Sequence, residues 1–214
     1  TERRGLLKYS HGVLTAVSGG NLPQSVLALA DDVDCLWLGT QKGISKMDYS
    51  TGRIKHYKPF DNEDKDNRVV TIYRSMSGDI YVATTVGVMR YVRESDNFLM
   101  VPGLVGITME HMSENSRGIL WLASYSTGVY ECDLSDGCVR NHYSPQTGSE
   151  QIPDMISSIC IDNADNTWVI GFSSGFFRYH GVKSEFQTYS TSTLDYLPTD
   201  VFFMALPDDF GNMW

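Results

Sequence analysis

Five segments of this 214-residue chain line up on a single aromatic position, and their spacing limits what the chain can fold into. "CLWLGTQKGISKMD" (35–48), "DIYVATTVGVMRY" (79–91), "ILWLASYSTGVYECD" (119–133), "NTWVIGFSSGFFRY" (166–179) and "FGNMW" (210–214) carry the anchors Trp37, Tyr81, Trp121, Trp168 and Trp214. Successive anchors lie 44, 40, 47 and 46 residues apart. That period belongs to a four-stranded blade or to a pair of helices. Composition separates the two. Aromatics reach 12%, there are 19 glycines, and the anchored segments are short and rich in Val, Ile, Thr, Tyr and Phe, which favours strands.

Period-2 alternation and turn residues divide each unit into strands a to d. The first unit reads "SVLALA", "CLWLGT", "GISKMD" and "RIKHYK", and the second "VVTIYR", "DIYVAT", "GVMRYV" and "NFLMVP". The third reads "GITMEHM", "ILWLAS", "GVYECD" and "CVRNHY", and the fourth "MISSICI", "NTWVIG", "GFFRYH" and "EFQTYS". Three residues before the anchors stand Asp34, Gly78, Gly118, Asp165 and Gly211, types that accept a left-handed turn conformation. Six before them stand Asp31, Ser75, Asn115, Asp162 and Asp208, whose short side chains bond to the turn's own backbone. Strand c opens on Gly43, Gly87, Gly128 and Gly175, followed four residues later by Met47, Tyr91, Cys132 and Tyr179.

Gly5 and Tyr9 obey the same rule, so the chain opens on strands c and d of a unit and closes on strands a and b of another. Units of this kind cannot bury both faces alone and stack around an axis. The expected fold is therefore all-β: one β-propeller over 1–214, with a half blade at 1–20, blades at 21–60, 61–104, 105–146 and 147–192, and a half blade at 193–214. That makes about five blade-equivalents, four whole and two complementary halves. The anchors are expected on strand b between blades. Each such ring removes roughly 150–250 Å² from water, about 4–6 kcal/mol before entropy is counted, so the repeated aromatics read as structural.

A formal charge of −9 and no basic stripe exclude a nucleic-acid backbone as partner. The mixed-sign run "DNEDKDNR" (61–68) reads as a solvated loop. No apolar run reaches the roughly 18 residues a membrane helix needs, so no membrane contact is expected of this segment itself. Cys35, Cys132, Cys138 and Cys160 contain no CxxC spacing, and neither a metal nor a cofactor is expected. Cys132 and Cys138 flank the turn-like "DLSDG", which leaves open a cross-hairpin disulfide or two ordinary thiols.

"LWLGTQKGISKMD", preceded by "SVLALADD" and followed by "GRIKHY", resembles the two-component regulator propeller repeat, and the other units follow it with drift over nearly the whole chain. That family implies the extracytoplasmic sensor part of hybrid two-component histidine kinases, commonly two seven-bladed propellers followed by a β-sandwich, a membrane helix and the kinase. Such sensors respond to oligosaccharides. The resemblance thus implies a fragment of a larger, seven-bladed propeller with no catalytic residue of its own, in the periplasmic ectodomain of an inner-membrane protein. Implied partners are an oligosaccharide, a neighbouring propeller or β-sandwich domain of the same chain, and a second copy in a homodimer.

In an up-and-down blade the d–a and b–c connections share one rim, and here that set varies while the a–b and c–d turns are regular. Variable loops on a regular scaffold are where recognition concentrates. Tyr125 and Phe172 are the rim aromatics available for stacking on sugar, with Gln41, Lys42, Arg68 and Asp154 as polar partners. His111 is a weaker candidate on strand a. Two alternatives stand beside this reading. "DDFGNMW" and "IDNADNTW" resemble the sialidase Asp-box turn, which raises a propeller lyase or glycosidase, although no arginine cluster is visible in the sequence. A WD-type interaction scaffold is the other, although Trp37, Trp121 and Trp168 are followed by Leu38, Leu122 and Val169 rather than Asp.

Overall fold

A computed structural model describes residues 6–17, 21–58, 67–145, 152–153, 155–181 and 185–214. Its named elements are all strands, and the chain divides into two compact units between Met100 and Val101. The first unit begins with a hairpin, β1 (Leu7–Ser10) and β2 (Val13–Ala16). A four-stranded sheet follows: β3 (Ala28–Asp31), β4 (Cys35–Thr40), β5 (Gly43–Asp48) and β6 (Ile54–Tyr57). The next sheet is β7 (Val69–Arg74), β8 (Ile80–Thr84), β9 (Gly87–Val92) and β10 (Asn97–Val105), whose last strand runs past the division.

The second unit holds β11 (His111–Glu114), β12 (Ile119–Ser124), β13 (Gly128–Asp133) and β14 (Cys138–Tyr143), then β15 (Ile156–Ile161), β16 (Thr167–Gly171), β17 (Phe176–His180) and β18 (Glu185–Tyr189). Every four-stranded sheet is an antiparallel meander in chain order. Strand c opens on glycine for a steric reason. Gly43 sits at φ 125° and Gly128 at φ 93°, and a Cβ there would lie 2.3 Å from the Tyr57 carbonyl oxygen and 2.2 Å from that of Tyr143. No other residue fits so close to strand d.

The anchors organise two aromatic tetrads of one design. In the first unit Trp37 meets Tyr57 of its own sheet and Tyr91 and Phe98 of the next, at centroid distances of 5.8, 4.7 and 5.7 Å. In the second, Trp121 meets Tyr143 at 5.9 Å and Tyr179 at 4.7 Å, while Phe186 closes on both tyrosines at 5.2 and 5.0 Å. The tyrosine four residues into strand c is thus the lid on the preceding sheet's tryptophan. Trp37 and Trp121 are fully buried and so is Tyr81, whereas Trp168 is half-buried.

Trp214 departs from the expected buried anchor: its indole is 77% exposed. Residues 199–214 form no regular pair of strands, only a bridge between Pro207 and Met213 framed by Leu206 and Trp214. The turn beneath it is nonetheless built as in a whole unit. Asp208 accepts from the amides of Phe210 and Asn212 and from Trp214 Nε1 at 2.8 Å, and Asp162 receives Trp168 Nε1 at the same distance.

In the first sheet this turn is one residue shorter than expected. Asp32 N bonds Cys35 O, whereas Ser75, Asn115, Asp162 and Asp208 each bond the residue four further on. Asp32 therefore takes the place expected of Asp31, and Asp34 has no left-handed φ, unlike Gly78, Gly118, Asp165 and Gly211. Asp31 instead accepts from the Tyr49 hydroxyl. The strand expected at 106–112 also differs. β10 extends to Val105, Gly103 and Gly106 adopt φ 82° and 77°, and the ladder of strand a begins only at His111.

Cys132 and Cys138 do flank a hairpin turn, but both thiols are free. Cys138 pairs in register with Asp133 and Cys132 with Val139. Side chains alternate along a strand, so the two sulfurs fall on opposite faces and no disulfide joins them.

The third turn carries a flaw that a substitution should repair. Asn115 Oδ1 accepts from the amides of Arg117 and Ile119 at 3.1 and 3.0 Å, which leaves its Nδ2 facing inward. That nitrogen and Trp121 Nε1 are both buried without an acceptor among the described residues. An aspartate there would offer the indole the oxygen that Asp162 offers Trp168. Asn115→Asp is expected to stabilise the fold by about 1 kcal/mol near neutral pH, the net value of one hydrogen bond to a charged group after partial desolvation. Urea denaturation checks this, and a lower midpoint would show that burying the charge outweighs the bond.

Candidate ligand-binding rim

Strand b ends in a residue that locks the b–c turn. Thr40 Oγ1 donates to Gly43 O at 2.9 Å and accepts from Lys42 N at 3.0 Å, and Thr84 repeats this with Gly87 and Val86 at 3.0 and 3.2 Å. Residues between the lock and the glycine are pushed to the surface. They vary between repeats because they carry no ladder.

In the second unit these turns bring Tyr125 and Phe172 together. Their rings lie 6.2 Å apart at 69°, and Phe172 meets Phe203 at 5.5 Å and 80°, making a row of three edge-to-face rings. Tyr125 is 41% exposed and Phe203 69%. Each ring is fixed from below. Tyr125 N donates to Glu110 Oε2 at 2.6 Å and Phe172 N to Met155 O at 3.0 Å, while Ser157 Oγ donates to Phe202 O at 3.0 Å beside Phe203. Half-burial pushes the Glu110 carboxyl above its usual range, an effect opposed by the Tyr125 amide. Asp200 accepts from Thr191 N and Oγ1, both at 2.6 Å, and its carbonyl receives Gly175 N, which anchors a second carboxylate at the strand-c glycine next to this rim. Flat apolar faces beside a few fixed polar groups are the usual make-up of a small-ligand site.

The remaining sequence candidates fall elsewhere. Gln41 and Lys42 are exposed in the first unit and line a cavity of about 510 Å³ with Gln24, Ser25, His56 and Lys58. Arg68 is exposed immediately before β7, its carbonyl accepting from Thr85 N at 3.3 Å. Asp154 and most of the loops at 60–68 and 145–155 lie outside the described residues, as does Gly5. His111 is half-buried opposite Ala123, and burial lowers its pKa, which favours a neutral ring. Sequence reasoning missed Phe203 and Glu110. Phe203 sits in the irregular segment that follows the expected rim, and Glu110 in the stretch wrongly read as strand.

Asp32, Asp34 and Cys35 bring three potential metal ligands within 4.8 Å of one another. Asp32 is already saturated there: it accepts from Arg74 Nε at 3.1 Å, Arg93 Nη2 at 3.0 Å, Val33 N at 2.9 Å and Trp37 Nε1 at 3.4 Å. The group reads as an ion-pair knot tying the first four-stranded sheet to the second.

No protein-family model matches the chain, and no curated protein matches it. Solved structures do. The extracellular domain of BT4673 from B. thetaiotaomicron, assigned to a hybrid two-component system, superposes with a TM-score of 0.79 at 19% identity, covering 99% of this chain and 28% of that one. The extracellular domain of BT3049, of the same assignment and organism, gives 0.73 at 19% identity over 88% of this chain and 25% of that one. Virginiamycin B lyase from Staphylococcus aureus gives 0.64 at 18% identity, over 88% of this chain and 61% of that one. The fold is that of a β-propeller. Its sheets are blades, and the chain spans less than a third of either ectodomain chain it superposes on.

Proposed function

We propose that this propeller is a ligand-sensing region in the extracytoplasmic part of a hybrid two-component sensor, and that it recognises an oligosaccharide. The observation that carries the reading is the row Tyr125, Phe172 and Phe203 with Glu110 fixed beside it. Ring faces are electron-rich and suit the C–H faces of sugar rings, while carboxylates accept from hydroxyls. The likeness to two sensor ectodomains supports the setting: a periplasmic segment that performs no reaction and is joined to further domains and a histidine kinase. A ligand alters signalling only through different affinities for two arrangements of the domains or protomers. The row supplies that difference where a neighbouring domain or a second copy leaves it open in one arrangement and covered in the other.

Calorimetry against glucose, xylose, mannose and galactose hexasaccharides tests the binding step. Saturable binding of at least one is expected, with affinity falling about tenfold or more in Tyr125→Ala and Phe172→Ala at unchanged melting temperature, since a lost stacking contact is worth roughly 1–2 kcal/mol. Unchanged affinity in both variants would remove the row from the site. Consumption of a bound glycan would favour the lyase-like alternative.

A further inference from the structure

At the opposite end of the same sheets, where the a–b and c–d turns emerge, the second unit gathers nitrogen donors that the sequence scatters over two repeats. Arg117 comes from the a–b turn of the third blade, and Arg178 and His180 from the end of β17 in the fourth. With Asn166, Tyr179 and Gly181 they line a cavity of about 420 Å³. In a chain of net charge −9 the two guanidinium groups on one cavity stand apart.

Arg178 is held ready rather than neutralised. Its guanidinium lies 5.8 Å from the Trp168 ring centroid, and Nη2 donates to Asn166 Oδ1 at 2.7 Å. Asn166 is itself oriented, because its Nδ2 donates to both Asp162 oxygens at 3.0 and 2.8 Å. Among the described residues Arg178 has no carboxylate partner. One of its five N–H donors is used, and among the described residues the fork has no other acceptor. Arg117 is 68% exposed, and its only carboxylate among the described residues is Asp165 at 3.8 Å, too long for a direct hydrogen bond. The Tyr179 hydroxyl is engaged with Tyr143 at 2.9 Å, and Asn166 Oδ1 with Arg178, so the donors left to a ligand are those of Arg117, Arg178 and His180. Two carboxylates border it, Asp165 against Arg117 and Glu185 in register with His180.

We propose that this cavity is a binding site for a tetrahedral oxyanion, the phosphate or sulfate group of a small ester. Donors approach from three separate side chains on two blades, which suits an acceptor with oxygens pointing several ways. A planar carboxylate is satisfied by a single guanidinium fork. The site is distinct from the aromatic row and does not depend on it.

Calorimetry on the complete chain, at ionic strength held constant with chloride, uses inorganic sulfate and phosphate, then glucose 6-sulfate, glucose 6-phosphate, glucuronate and glucose. Saturable binding of at least one inorganic anion and its ester is expected, with none of glucose. Arg117→Gln and Arg178→Gln are each expected to weaken it about tenfold or more, the value of a charge-assisted bond. Arg178→Gln could disturb Trp168, so Arg117→Gln, at an exposed side chain, decides. Arg178→Lys keeps the charge but loses the fork and is expected to fall between. No heat beyond the chloride background, wild-type affinity in Arg117→Gln, or tighter binding of glucuronate than of both esters would overturn the proposal.

Discussion

Truncating Trp37 to alanine is expected to lower the unfolding free energy by about 4 kcal/mol, within the range of about 3–5 kcal/mol for removing a buried Trp or Phe. The indole has no exposed surface and fills the space between two sheets against Tyr57, Tyr91 and Phe98. Its removal leaves a cavity against three rings that still hold one another, and the backbone of strand b cannot collapse into it while its ladders to β3 and β5 persist. Trp37→Phe keeps a ring and is expected to cost less, about 1–2 kcal/mol. Trp214→Ala, at a ring 77% exposed, is expected to cost under about 1 kcal/mol. Equal shifts of the urea midpoint for Trp37→Ala and Trp214→Ala would contradict this assignment of roles.

Asp32→Ala is expected to cost about 3 kcal/mol, because one buried carboxylate serves five donors, the Cys35 thiol at 3.9 Å being the weakest. Its side chain has no exposure, while Arg74 and Arg93 are 36% and 47% exposed, so the released cations regain some hydration and the loss stays at the lower end for broken buried pairs. The knot also dictates a pH dependence. Burial opposes ionisation of Asp32, but the Val33 amide and the two guanidinium groups outweigh it and draw the pKa from 3.8 down to about 2. A folded pKa below the unfolded one contributes stability that is complete above about pH 4 and is lost as pH falls through about 2. That contribution is about 2 kcal/mol. Urea unfolding of wild type and Asp32→Asn between pH 2 and 7 measures it: the gap between them should narrow as pH drops, and a constant gap would contradict the charge-based account.

What the sequence made legible follows from what repeats enforce. The strand-c glycines recur because strand d passes close to each one described, and the four-residue step to Tyr91 and Tyr179 recurs because each tyrosine caps a buried tryptophan of the preceding sheet. Counting from an anchor failed where the backbone dropped a residue, so Asp31 was read for Asp32, and where two glycines delayed the ladder to His111. Tyr125 and Phe172 were visible as exceptions inside a regular frame. Phe203 was not, because an irregular segment gives no register from which to place a ring. The Arg117, Arg178 and His180 cavity was hidden for another reason: its members come from two repeats at unrelated offsets, and only the packing of adjacent blades joins them.

The central claim is that the repeated aromatics build the propeller while the non-repeated ones on the rim bind ligand. Hydrogen–deuterium exchange of the complete chain, with and without a hexasaccharide that calorimetry has shown to bind, tests it most directly. The account predicts added protection at 123–127 and 171–175, around Tyr125 and Phe172, with the a–b turn at 115–119 unchanged. Protection confined to the a–b turns, or to the cavity beside Gln41 and Lys42, would contradict it.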